Sequence, residues 1–147
     1  MDLVSHIYEV TAEFPDDERF GLTSQLRRAS VSVPSNISEG WGRNSQAHLA
    51  NFTRIARGSL SELDTLIELS RRQGLIKDAV CQELYKRMDL IGRKSFAFLR
   101  VVESSVREAR ATYDEEHLDL TLIKALSDLA SDPSEPITHH SSPITKK

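Results

Sequence analysis

Chemistry in a protein needs nucleophiles, acids, bases or metal ligands gathered at workable spacing, and this sequence gathers few. His6, His48 and His117 are scattered, while His139 and His140 fall in a Ser- and Pro-rich end. With one cysteine, Cys81, there is no thiol pair and no Cys/His cluster at zinc-ligand spacing, so Cys81 reads as a small apolar side chain. The Glu-x-x-His pairs of a di-iron bundle are missing. Gly40-Trp41-Gly42 is not a dinucleotide loop, because no strand precedes it and the third glycine is absent. These residues predict no catalytic group, no cofactor, no metal and no small-molecule substrate.

What the chain does concentrate is arginine and a polar row. Gln25, Arg28, Ser32, Asn36 and Glu39 recur every three or four residues, along one side of a helix. If the chain turns back at residues 43–44, facing residues have numbers summing to roughly 87, which sets Gln25 against Glu62, Arg28 against Ser59 and Ser32 against Ile55. Glu62 would then accept a hydrogen bond from Gln25 or Arg28. Polar groups at a helix contact need partners, so the row reads as a seam fixing register and subunit docking, or as a ligand or nucleic-acid contact. Arg27, Arg43, Arg54 and Arg57, together with Arg71 and Arg72, could meet phosphates, or could be solvated and ion-paired. Trp41 lacks the basic–aromatic interleaving of a base-stacking platform and reads as a packing anchor.

Helices must position these residues. Leu3, Ile7, Val10 and Phe14 predict a short helix over 2–14, ended by Pro15. Leu22, Leu26, Ala29, Val33 and Ile37 predict a second over 22–41. Pro34 lies inside it, at a usual cost of about 3 kcal/mol, and Ser30 and Ser32 are placed to satisfy freed backbone groups. A third helix over 45–73 starts at Asn44 or Ser45. It carries its stripe through Gly58, where close packing is expected. A fourth over 78–110 repeats Leu84, Met88, Ile91, Ser95, Phe98, Val102, Ser105 and Ala109 in four-three steps. Leu118, Leu122, Leu126 and Leu129 suggest a short extra amphipathic helix in 111–130, and 131–147 has the composition of a disordered tail. The fold class is all-α: an antiparallel up-down-up-down, left-handed four-helix bundle in one domain.

Composition agrees with a globular chain: 39% hydrophobic and 28% charged residues in 147, with no membrane-length apolar run. No N-terminal export pattern is present, so a cytoplasmic location is expected. The net charge of −3 conceals an asymmetry of −5 over residues 1–20, +6 over 21–110 and −4 over 111–147. A basic centre permits an anionic partner without demanding one.

The wording of the second and third helices is specific. Gly21-Leu22-Thr23-Ser24-Gln25-Leu26-Arg27-Arg28-Ala29 leads into Ser32-Val33-Pro34-Ser35-Asn36-Ile37-Ser38-Glu39-Gly40, followed by Phe52, Ile55-Ala56-Arg57-Gly58-Ser59-Leu60 and Glu62-Leu63. Over residues 3–105 this resembles the bacterial four-helix-bundle proteins first noticed as products of intervening sequences in 23S ribosomal RNA genes. The resemblance implies a left-handed bundle, assembly into a ring-like homopentamer and no known catalytic activity. The same fold is similar to the accessory variability determinants of diversity-generating retroelements, basic pentamers that bind nucleic acid and a reverse transcriptase. Two readings follow: a non-enzymatic homo-oligomeric module, or a nucleic-acid-binding accessory protein for RNA or DNA. The modest charge of this chain weighs against a retroelement role.

Overall fold

A computed structural model describes residues 1–130. Its helices are α1 (Asp2–Ala12), α2 (Leu22–Gly42), α3 (Gln46–Arg72) and α4 (Asp78–Ala130), with a short 3₁₀ helix at Asp16–Phe20 between the first two. Among the described residues there is no strand. None of the helices is long and apolar enough to cross a membrane. Met1–Ala109 form one unit and Arg110 onward a second.

Within the first unit the helices alternate in direction and share one core. Ile7 of α1, Leu26 and Ala29 of α2, Leu63 and Ile67 of α3 and Leu84 of α4 are all fully shielded from water. These are the stripes that helical spacing predicts, and burying each leucine or isoleucine contributes roughly 1.5–3 kcal/mol. Leu49, Ala50, Leu99 and Val102 form a second, smaller cluster between the start of α3 and the later turns of α4.

The turns have local causes. The carboxylate of Glu18 accepts the Leu22 amide at 2.9 Å, so an acidic side chain caps the start of α2. Between α2 and α3, Asn44 adopts φ 51°, the left-handed conformation that asparagine tolerates better than most residues. Ser45 is the N-cap of α3, though its hydroxyl makes no capping bond. At the end of α3, Gly74 has φ 74°, and the amides of Gly74 and Leu75 donate back to the carbonyls of Arg71 and Ser70 at 2.9 Å. That pair of bonds is a Schellman closure.

Three expectations change. α2 continues through Pro34 as one helix, but neither serine serves the Ser30 carbonyl: the Ser30 hydroxyl donates to Arg27, and the Ser32 hydroxyl bonds Ser59. Gly58 is not a close-packing site, since a Cβ there meets nothing within 4 Å. Gly40 is the tight position instead: it lies inside α2, and a Cβ on it would come 2.8 Å from the Phe52 Cβ and 3.2 Å from the Leu49 Cα. On α4 the core takes Leu99 rather than Phe98, because a straight helix of 3.6 residues per turn drifts off a strict seven-residue repeat.

In the second unit, residues 111–130 are helical, as the leucine spacing predicts, but they continue α4 with no break, proline or glycine at Arg110. Leu118, Leu122 and Leu126 are exposed there. The tail expected over 131–147 lies outside the described residues, as does the side chain of Leu129.

Candidate assembly seam and arginine surface

The polar row of α2 does face α3, in a register about three residues from the expected one. Arg28 donates to Glu62 and also to the Gln25 side chain, at 2.8 Å for the latter. Ser32 and Ser59 share a hydroxyl–hydroxyl bond of 2.8 Å, and Asn36 donates to the carbonyl and hydroxyl of Ser32 at 2.8 and 2.9 Å. The paired numbers sum to 90 and 91 rather than roughly 87. Two causes account for this. The connection is centred on Asn44, and helical side chains lean toward their own N-terminus, so in an antiparallel pair each contact shifts by about one residue on both helices.

Ser59 is 9% exposed and Ser32 and Asn36 are half-buried, so the inner part of the row needs these bonds. Arg28 and Glu62 are 64% and 39% exposed as side chains, which leaves their ion pair worth at most about 1 kcal/mol. Glu39 does not join the seam: it pairs with Arg43 one turn on in α2.

Every arginine singled out as a phosphate contact holds a partner within the chain. Arg27 donates to the Thr11 hydroxyl at 2.8 Å and lies 4.7 Å from the Tyr8 ring centre, tying α1 to α2. Arg43 pairs with Glu39 and covers the Phe52 ring at 4.9 Å. Arg54 binds Glu103 at 2.6 Å, joining α3 to α4, and Arg57 lies 5.0 Å over Phe96 of α4. A guanidinium over a ring keeps its charge while gaining about 0.5–1 kcal/mol at an exposed site. Such residues act first as joints between helices.

Arg71 and Arg72 converge on Glu68, and Arg71 also reaches Asp78. The hydrogen bonds from Arg71 and then Arg72 lower the Glu68 pKa from 4.5 to about 2. Tyr85 of α4 donates to the same carboxylate at 3.4 Å, and its own pKa is raised by burial and then by the Glu68 charge. The three- and four-residue spacing of this cluster was visible in the sequence; the Tyr85 contact, which needs the fold, was not.

The packing also gathers residues that look scattered in the sequence. Asp2, Ser5, His6, Glu9, Glu83 and Arg87 line a cleft of about 300 Å³ between α1 and α4. His6 Nδ1 is 4.0 Å from Glu83, too far for a hydrogen bond, while Glu83 accepts from Arg87 at 2.7 Å and is held below the usual carboxylate range by it. Cys81 is 1% exposed, and burial pushes its thiol pKa up, away from nucleophilic use. Among the described residues no group of three His, Cys, Asp or Glu side chains could hold a metal ion. Trp41 is 72% exposed, so the packing anchor expected at the end of α2 is instead a bare surface residue.

The profile of the 23S rRNA-intervening sequence protein family matches residues 1–97. The chain belongs to this family. The family match takes in α1, α2, α3 and the early turns of α4, so the whole α2–α3 seam lies inside it. No curated protein sequence matches the chain significantly.

Proposed function

We propose that this member of the 23S rRNA-intervening sequence protein family is a non-enzymatic, self-assembling helical module of the cytoplasm. Five chains is the stoichiometry implied by the family resemblance. One observation carries the reading: the bundle leaves large apolar side chains bare, with Trp41 at 72% and Val101 at 67% exposure. Exposed side chains of this size and character suit a contact with another copy. The seam of Gln25, Arg28, Ser32, Asn36 and Glu62 fits this reading by holding α2 and α3 in one register, which keeps the outer face constant from copy to copy.

Light scattering after size exclusion, at micromolar concentration, should find a discrete species near five chains. A clean monomer would sink the proposal. Nucleic-acid binding is the competing reading, and the engagement of Arg27, Arg43, Arg54 and Arg57 weighs against it, since phosphates would have to displace carboxylates or rings. Binding that falls steeply with salt, and protein purified without nuclease that co-elutes with RNA or DNA, would reverse that judgement.

A further inference from the structure

The later part of α1 and the connection between α3 and α4 border a further cleft, of about 360 Å³. Its walls follow from local structure. His6, Glu9, Val10 and Glu13 recur at helical spacing, so one side of α1 presents all four. Opposite them the Gly74 turn sends the chain on through Leu75, Ile76 and Lys77. The Lys77 carbonyl accepts the amides of Val80 and Cys81 at 3.0 and 3.1 Å, which starts α4 and fixes where Lys77 and Val80 stand.

The cleft has an apolar floor and a charged rim. Ile76 is 5% exposed, and Val10, Leu75 and Val80 are half-buried against the shared core. On the rim, α1 contributes Glu9 and Glu13 and the connection contributes Lys77, all three exposed. Arg54 and Arg71, at other helix joints, find carboxylates within the chain. Among the described residues, Glu9, Glu13 and Lys77 form no ion pair, although their opposite charges line one cleft. The gap between them is too wide for a direct bond. His6 lines the cleft as well, and its buried Nδ1 has no hydrogen-bond partner.

An apolar floor between separated opposite charges suits a ligand with an ammonium, a carboxylate and an apolar side chain, and the volume is that of a small-molecule site. A purely anionic ligand would meet two carboxylates on the rim, and a bare cation would meet Lys77 and leave the floor unused. We propose that this cleft binds a free apolar amino acid. Its side chain lies on Val10, Leu75, Ile76 and Val80, its ammonium donates to Glu9 and Glu13, and its carboxylate accepts from Lys77. The bound molecule joins α1 to the α3–α4 connection. One chain supplies every contact, so the inference stands apart from self-assembly. Because the rim is exposed, binding is weak and salt-sensitive.

The test uses full-length protein with L-leucine as the probe, followed by ligand-observed saturation-transfer NMR. L-Leucine should bind saturably, and glycine, which brings the same charges without the side chain, should not. Lys77→Ala should weaken L-leucine about fivefold and leave L-leucine amide, which lacks the carboxylate, unchanged. Glu9→Gln with Glu13→Gln should weaken both ligands by about fivefold. All three positions are exposed, so circular dichroism should show parental helicity. A parent with no saturable L-leucine binding overturns the inference, as does glycine binding as tightly as L-leucine. Variants that hold L-leucine as the parent does overturn it too. L-Leucine amide binding more tightly than L-leucine would assign the cleft to the end of a peptide and overturn the free amino acid. A monomeric parent that binds L-leucine overturns the self-assembly reading alone.

Discussion

One helix shows what facing the core does. Leu84 and Met88 on α4 are 0% and 6% exposed, and Leu99 and Val102 farther along the same stripe are 6% and 4% exposed, while Phe98 and Val101 beside them are 37% and 67% exposed. The side chains are of similar character, so what separates core from surface along α4 is the face of the helix each occupies. The two ends of that buried stripe differ in what surrounds it, since α1 packs over the first. At the covered end the core gathers residues from all four helices. At the other end Leu49, Ala50, Leu99 and Val102 form a smaller buried cluster, with Gly40 of α2 packed against Leu49.

The sharpest way to break this contrast is to cut the same side chain at both ends. Leu63→Ala, at 0% exposure in the shared core, should cost about 3–5 kcal/mol, since a cavity there is walled on every side. Leu99→Ala, at 6% exposure in the smaller cluster, should cost about 2–3 kcal/mol, because the thinner end relaxes into the space. Urea denaturation of both variants measures the difference. Equal losses would mean that the two ends form one core of uniform quality.

Glycines offer a second contrast, smaller in size and opposite in sign. Gly40→Ala would push a methyl group to 2.8 Å from the Phe52 Cβ and 3.2 Å from the α3 backbone at Leu49. The resulting strain, about 1–3 kcal/mol, outweighs the roughly 1 kcal/mol that alanine gains over glycine inside a helix. Gly58→Ala meets open space and should stabilise by about 0.5–1 kcal/mol. A shift of both thermal midpoints in the same direction would contradict the placement of the helix contact at Gly40.

The legible and illegible features divide along the same physical line. The stripe Leu22–Ile37 was readable because amphipathic periodicity repeats over several turns and each residue reinforces the next. The polar row was readable as a row but not in register, since Arg28–Glu62 and Ser32–Ser59 depend on the turn at Asn44 and on the lean of side chains. Gly40 and Gly58 could not be told apart, because a glycine's neighbours across a helix contact leave no mark beside it in the chain. Arg54 and Arg57 looked available to phosphates for the same reason: Glu103 and Phe96 lie more than 35 positions away in sequence. Continuation of α4 through Arg110 was legible only by the absence of a stop signal, and the change in composition there suggested a break that the backbone does not make.

The polar joints at the two ends should also differ, through acid. At the covered end Glu68 carries Arg71, Arg72 and Tyr85 together, whereas toward the α2–α3 turn Glu39 and Glu103 each pair with a single arginine. In the first arrangement the hydrogen bonds from Arg71 and Arg72 move the carboxylate far: Glu68 falls from 4.5 to about 2. A carboxylate with a lowered folded-state pKa stabilises the fold fully above its unfolded pKa, and that contribution is lost as pH drops through the folded value. The Glu68 contribution is therefore complete above pH 4.5 and fades between there and about pH 2. Glu68→Gln, which keeps the shape and removes the charge, should lower the thermal midpoint most at pH 7 and progressively less as the medium approaches pH 2. The Glu68 side chain is 34% exposed, so solvent screens the cluster, the shift should be modest and it should shrink in high salt. Comparing the variant with its parent at pH 7, 4.5 and 2.5 decides the matter. A gap that stays constant across that range would show that Arg71 and Arg72 hold Glu68 no more firmly than Arg54 holds Glu103, and the polar distinction between the ends would vanish.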